Sequence, residues 1–144
     1  MWPKLLGLAI LGLAIAGVVW LVRGSSSLPD EVQPIEWNRQ ACSHCQMLIG
    51  EPRHAAQLIT KHGEVHAFDD PGCAIRFIAR HDPELHRLWF HHGTAERWVS
   101  SDQATFVTNG MTPMGSGLVV VDPGAPGGID FSAARRVALD GGVQ

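Results

Sequence analysis

One stretch of the chain decides the fold, residues 54–80, HAAQLITKHGEVHAFDDPGCAIRFIAR. Its first part predicts a β-strand over residues 54–60, a turn over residues 61–64 and a second strand over residues 65–69. Because only a short turn connects the two strands, they are expected to pair as a hairpin. The domain is therefore predicted to begin with two antiparallel strands.

The second part of the stretch predicts a helix that runs through Arg80. Asp70 can cap its N-terminus, Pro71 suits its first position, and apolar residues follow at helical spacing. A hairpin followed directly by a helix indicates an α+β domain.

The rest of the chain predicts five more elements. They are strands over residues 86–91, 96–99 and 118–121, a helical turn that Ser101 or Asp102 caps and that leads to Phe106, and a terminal helix over residues 131–139 capped by Asp130 or Ser132. The expected fold is a small mixed α+β domain.

An apolar segment precedes this domain. Residues 5–22 contain no charge and no proline, and a helix of that length reaches roughly 27 Å, close to the hydrocarbon thickness of a bilayer. We predict a single N-terminal transmembrane helix over residues 1–23, with Trp2 and Trp20 near the two interfaces.

The charges around the apolar segment predict its orientation. Lys4 precedes it, Arg23 follows it and acidic residues come soon after, which favours a cytoplasmic N-terminus and a periplasmic domain at the inner membrane. A signal peptide cleaved near residues 14–16 is the alternative. A flexible linker is expected over residues 24–36, and a metal-binding domain over residues 37–144.

The charge of the domain argues against a nucleic-acid partner. From residue 30 onward the chain carries 14 acidic and nine basic residues, a net charge of −5. Phosphate binding needs a basic face, which this composition does not provide. The sequence also has no glycine-rich phosphate loop and no G-x-S-x-G motif. The sulfur-containing residues are the main candidates for a functional site.

The densest cluster of soft ligands is the motif CSHCQM, which contains Cys42, Cys45 and Met47. This spacing can bring two thiols and a thioether close together in one loop. Thiolate and thioether sulfurs are preferred ligands for Cu(I). Since Cu(I) accepts two or three ligands, one distant methionine would complete the site, and Met111 and Met114 flank a proline further along.

The C-x-x-C spacing is compatible with three further kinds of site. In the periplasm it can form a disulfide, and it can be a thioredoxin-like redox motif, although here it precedes the first strand. A zinc site could borrow His66 or Cys73. Haem attachment is excluded, because Gln46 rather than histidine follows the second cysteine.

Cys73 and the acidic pair before it also fit purely structural roles. A lone cysteine is more often a small buried hydrophobe than a ligand. Cys73 nevertheless lies in the first turn of the predicted helix, where a thiolate is favoured. Asp69 and Asp70 could form an acid–base pair, but the position of Asp70 favours a helix cap.

Four motifs are specific when taken in order. They are C-x-x-C-x-M at residues 42–47, FDDPGC at residues 68–73, Trp98-Val99 and Pro113-Met114-Gly115. In this order they resemble the NosL family of copper chaperones, the accessory proteins of nitrous-oxide reductase, over roughly residues 40–121. The resemblance implies an α+β fold with ββαβ-type units related to those of organomercurial lyases.

The resemblance also implies a ligand set. By position, Cys42, Cys45, Met47 and Met114 would hold Cu(I). This chain has Gln46 where glycine is usual in the family, and a positive φ would be costly for glutamine at that position.

We therefore expect a membrane-tethered periplasmic protein that binds Cu(I) without catalytic turnover. Its expected partner is a copper-receiving membrane complex or cuproenzyme, with nitrous-oxide reductase as the client. The candidate metal ligands are Cys45 and Met114 first, then Cys42 and Met47, with Cys73 and Met111 in addition. The alternatives are a thiol–disulfide oxidoreductase that acts through Cys42 and Cys45, and a scaffold domain held together by a disulfide or by zinc.

Overall fold

The computed structural model describes residues 11–20 and 27–141. Residues 11–20 are helical and exposed. No helix within these two ranges is both long and apolar enough to cross a bilayer. The anchor predicted over residues 1–23 extends outside the described residues, and it stays a prediction.

The domain within residues 27–141 contains six strands and two helices. They are β1 (Ala56–Thr60), β2 (Val65–Phe68), α1 (Pro71–His81), β3 (Leu85–His91), β4 (Trp98–Ser100), β5 (Thr105–Val107), β6 (Val119–Val121) and α2 (Phe131–Asp140). The first four elements, β1, β2, α1 and β3, follow one another in the order ββαβ. The α+β class is confirmed.

The larger sheet places β1 at its centre. Its strand order is β2-β1-β3-β4, and all neighbours pair antiparallel. Ala56 on β1 lies opposite Phe68 on one side and Phe90 on the other. Because β1 has a partner on each side and helix α1 also contacts it, all five of its residues are buried. The predicted hairpin is confirmed.

The smaller sheet consists of β5 and β6, paired antiparallel with Phe106 opposite Val120. The rings of Phe90 and Phe106 meet edge to face, with centroids 5.0 Å apart, and both side chains are fully buried. Edge-to-face aromatic pairs are a favourable packing arrangement. This contact joins the two sheets in one core.

The prediction of a helical turn before Phe106 is wrong. Residues 101–103 form a turn, and β5 then begins at Thr105. The backbone of Phe106 bonds to that of Ile129 in both directions, at 2.8 Å each. Pairing with β6 and with Ile129, which both come later in the chain, overrides the local helical signal, as is common for short segments.

Both predicted helices begin at expected caps. The side chain of Asp70 accepts a hydrogen bond from the backbone of Gly72, and that of Asp130 accepts one from Ala133. Only two residues separate the end of β2 from the start of α1. This short junction places Asp69 and Asp70 directly before the helical turn that carries Cys73.

Ordered contacts of the domain begin before residue 37. The backbone N–H of Gln33 donates to the side chain of Gln57 at 2.7 Å, and that side chain donates back to the Gln33 carbonyl at 2.9 Å. Ile35 is buried in the core. Gln33 therefore pairs with β1, and Ile35 belongs to the core of the domain.

Candidate metal centre

The cysteine motif forms a tight loop closed by backbone hydrogen bonds. Ala41 and Leu48 form an antiparallel bridge at its base. Inside it, the N–H of Cys42 donates to the Met47 carbonyl at 2.8 Å, and the N–H of Gln46 donates to the Cys42 carbonyl at 3.0 Å. These bonds turn the chain back on itself, so that both ends of the motif lie close together.

Gln46 adopts the left-handed conformation that glycine favours, with φ 64°. For a residue with a Cβ atom this conformation costs roughly 1–2 kcal/mol. Its side-chain amide donates to the carbonyl of Cys42 at 3.2 Å, which offsets part of that cost. The loop thus keeps a positive φ at this position although the residue is glutamine.

A single backbone bond fixes this loop to the larger sheet. The N–H of Ser43 donates to the carbonyl of Ala67 on β2 at 2.9 Å. Because β2 leads directly into α1, the same strand positions Asp69 and Cys73. The loop and the helix start are therefore held against each other by one short segment of the chain.

Four side chains converge at this junction: Cys42, Cys45, Asp69 and Cys73. One ligand atom from each lies within 4.8 Å of all the others. All three cysteines are free thiols; Cys42 and Cys73 are buried, and Cys45 is half-buried. The Cys45 sulfur donates to Oδ1 of Asp69 at 3.5 Å. We call these four residues the thiol cluster.

Cys42 is the strongest acid among the three cysteines. A hydrogen bond with the Cys73 side chain is the largest factor that lowers the pKa of Cys42, to about 4. Backbone hydrogen bonds from Cys45, Asp69 and His44 lower this pKa further, while burial opposes them. The direction of these shifts makes Cys42 the first of the three thiols to ionise.

The other two thiols of the cluster resist ionisation. Burial raises the pKa of Cys45 to about 11, and it raises the pKa of Asp69 to about 6, so this carboxyl group still ionises below neutral pH. The hydrogen bond with Cys42 is the largest factor that raises the pKa of Cys73. A cation that binds Cys45 and Cys73 as thiolates must therefore displace their protons.

Two of the candidate methionines lie beside the cluster. Met47 and Met114 line one small pocket together with Asp69. Met47 is 58% exposed and Met114 37% exposed, so both side chains are open to solvent. Met111 is 95% exposed and does not line this pocket.

The sequence-predicted residues thus fall into three groups. Cys42, Cys45 and Cys73 belong to the thiol cluster, Met47 and Met114 line the adjoining pocket, and Met111 points into solvent. The buried position of Cys73 agrees with a packing role, and its neighbours also make it available as a ligand.

Asp69 is a member of the cluster that the sequence pattern does not indicate as a ligand. The pattern indicates it only as half of an acid–base pair with Asp70. The sequence feature that could indicate this role is the position of Asp69, at the end of a predicted strand and just before a predicted helix that carries Cys73. In the structure the two carboxylates separate, with Asp69 facing Cys45 and Asp70 capping α1.

The cluster offers soft ligands with one hard ligand. Three thiols suit thiophilic cations such as Cu(I), and a set of three cysteines and one carboxylate also satisfies the four-coordinate preference of zinc. His66, which the sequence offers as a zinc ligand, lies elsewhere, with its ring 4.7 Å from that of Phe77. Asp69 and the methionine pocket are therefore the sources of a fourth ligand that lie next to the three cysteines.

Comparison with known proteins gives a match in structure only. No protein-family model matches the chain, and no curated protein matches its sequence. The crystal structure of the copper chaperone NosL from Shewanella denitrificans matches with a TM-score of 0.53 and 20% sequence identity. The match covers 78% of this chain and 88% of that chain. The chain therefore has the α+β fold of the NosL copper chaperone, as the sequence resemblance implied.

Proposed function

We propose that this protein is a copper chaperone of the NosL type, which binds Cu(I) at the thiol cluster and passes it to a partner without catalytic turnover. The observation that carries the proposal is the convergence of Cys42, Cys45 and Cys73, with Met47 and Met114 beside them. Soft sulfur ligands concentrated at one edge of a small domain suit Cu(I). The fold shared with a copper chaperone supports the same conclusion.

The exposure of the ligands suggests the direction of transfer. Cys42 and Cys73 are buried, whereas Cys45, Met47 and Met114 are open to solvent. A sulfur of the partner would bind the copper ion from the open side before Cys45 releases it. The ion stays Cu(I) throughout, and the protons displaced on binding return to the thiols when it leaves.

We further propose that the protein works at the periplasmic face of the inner membrane. The apolar N-terminal segment supports a membrane anchor. An anchored chaperone meets a membrane-bound acceptor at high effective concentration without any new contact. The proposed acceptor is a maturation system for a cuproenzyme, with nitrous-oxide reductase as the client.

Competition with a Cu(I) chelator, under anaerobic conditions, tests the proposal. The chain should bind Cu(I), and the double variant Cys45→Ser, Met114→Leu should bind it much more weakly. An unchanged affinity in this variant would reject the assignment. The metal content of freshly purified protein separates the candidates, since zinc in place of copper would favour the scaffold.

The alternative redox function receives less support from the geometry. A thiol–disulfide oxidoreductase attacks its client with an accessible thiolate of lowered pKa. Here the cysteine with the lowered pKa, Cys42, is fully buried, and the accessible Cys45 has a raised pKa. Such an enzyme needs accessibility and a lowered pKa in the same cysteine, whereas here Cys42 has the lowered pKa and Cys45 has the accessibility.

A further inference from the structure

The buried carboxylate of Asp70 accepts two hydrogen bonds, one from the start of helix α1 and one from a distant loop. Its Oδ1 accepts from the N–H of Gly72 at 2.7 Å, and its Oδ2 accepts from the N–H of Met114 at 3.0 Å. Burial of a carboxylate is costly unless both oxygens find partners. The first bond caps α1. The second bond does not cap the helix, because Met114 lies 44 residues further along the chain.

The second bond connects the methionine pocket to the thiol cluster. Asp69, which accepts from Cys45, directly precedes Asp70. The backbone N–H of Cys73 donates to the Asp70 carbonyl at 3.0 Å. Asp70 therefore joins the turn that presents two cluster members to the loop that presents Met114.

The loop over residues 110–117, which we call the methionine loop, is a closed unit packed on the start of α1. Its ends meet where the N–H of Gly110 donates to the Gly117 carbonyl at 2.9 Å. A Cβ atom at Gly72 would lie 2.5 Å from the Cβ of Ser116, so the two backbones approach directly. The bond to Asp70 holds the loop at Met114, the residue that carries the sulfur.

We infer that Asp70 is a positioning residue of the copper site, which acts through Met114. By fixing the Met114 backbone it keeps the thioether beside the thiol cluster, where a bound ion can reach it. The inference rests on the proposed function. Asp70 is distinct from the four residues whose ligand atoms converge in the thiol cluster, and each of its oxygens accepts a backbone N–H group.

The variant Asp70→Asn tests this inference in the full chain. In asparagine an NH2 group replaces one of the two carboxylate oxygens, and this group donates, so it cannot accept the N–H of Gly72 or of Met114 at that position. We expect Cu(I) affinity to fall about threefold to tenfold, which corresponds to the net worth of one hydrogen bond. Asp130→Asn is the matched control, since Asp130 caps α2 with a bond of 2.7 Å and should leave the affinity unchanged.

The same substitution in a Met114→Leu background separates positioning from general damage. If Asp70 acts through Met114, Asp70→Asn should cause no further loss of affinity there. An equal loss in both backgrounds would overturn the inference. A carbon-13 methionine-methyl spectrum of the copper-free protein gives a second readout. The Met114 signal should shift in Asp70→Asn, while the Met111 signal stays in place.

Gly72→Ala keeps the inference testable if Asp70→Asn does not fold. Alanine is favoured in a helix, but its Cβ would lie 2.5 Å from the Cβ of Ser116 and 3.0 Å from Oδ1 of Asp70. The substitution should therefore displace the methionine loop and the carboxylate that holds it, while the charge of Asp70 is kept. It should lower the affinity only when Met114 is present. Failure of the unmodified chain to bind Cu(I) would reject the proposed function. Binding that neither Asp70→Asn nor Gly72→Ala alters would reject only the role of Asp70.

Discussion

The sulfurs of Cys42 and Cys73 lie within 4.8 Å of each other, although Cys42 belongs to the loop over residues 42–47 and Cys73 to the first turn of α1. The interaction between these two side chains lowers the pKa of Cys42 and raises that of Cys73. The directions of these shifts favour ionisation of Cys42 before that of Cys73.

This polarised pair predicts a thiolate in the metal-free protein. Since the pKa of Cys42 is lowered to about 4, its thiolate should persist near neutral pH and disappear as the pH falls through that value. Ultraviolet thiolate absorbance under reducing conditions measures it. Cys42→Ser should remove the signal, whereas Cys45→Ser should retain it. A signal that needs Cys45 instead would contradict the assignment.

Substitution of Cys73 distinguishes a metal ligand from a hydrogen-bond donor. Cys73→Ser keeps a donor for Cys42 but removes the sulfur, whereas Cys73→Ala removes both. If Cys73 binds Cu(I), both variants should lose affinity, by at least the roughly tenfold that supporting residues of metal sites cost. Chelator competition measures the loss. Full affinity in Cys73→Ser with loss in Cys73→Ala would show that only the hydrogen bond matters.

Met114 and Met111 form a matched pair within one loop. Met114 lines the pocket beside the cluster, and Met111 is almost fully exposed. We expect Met114→Leu to weaken Cu(I) binding and Met111→Leu to leave it unchanged, because leucine keeps the apolar volume and removes only the sulfur. X-ray absorption of the copper complex should show one sulfur fewer in Met114→Leu. Equal effects of the two substitutions on Cu(I) affinity would contradict the assignment of Met114 as a copper ligand.

Gln46→Gly should stabilise the copper-free domain. Glycine adopts the observed φ of 64° without steric cost, but the bond from the Gln46 amide to Cys42 is lost. We expect a net gain of about 0.5 kcal/mol in the free energy of unfolding, measured with denaturant. Asn109→Gly, at φ 69°, is the control and should gain less, because asparagine tolerates this conformation better. A loss of stability in Gln46→Gly would show that the side-chain bond outweighs the backbone strain.

Much of the domain could be predicted because its signals are local. The turn after β1, the caps Asp70 and Asp130, and the helical spacing in α1 each act over a few residues. Local signals failed at β5, where the pairing of Phe106 with Val120 and Ile129 overrides them. Such pairings depend on segments that are distant in the chain, so no window around Phe106 reveals them.

The candidate metal site also combines features that the sequence predicts with features that only the tertiary structure shows. The sequence by itself determined which atoms are available, since the cysteine loop and the two methionines follow from residue types and their spacing. Only the tertiary structure decided which of them meet. The β2–α1 junction brings Asp69 and Cys73 to the loop of Cys42 and Cys45, because one strand positions both. Which thiol ionises was likewise decided there, since a pKa depends on burial and on neighbours that spacing alone does not specify.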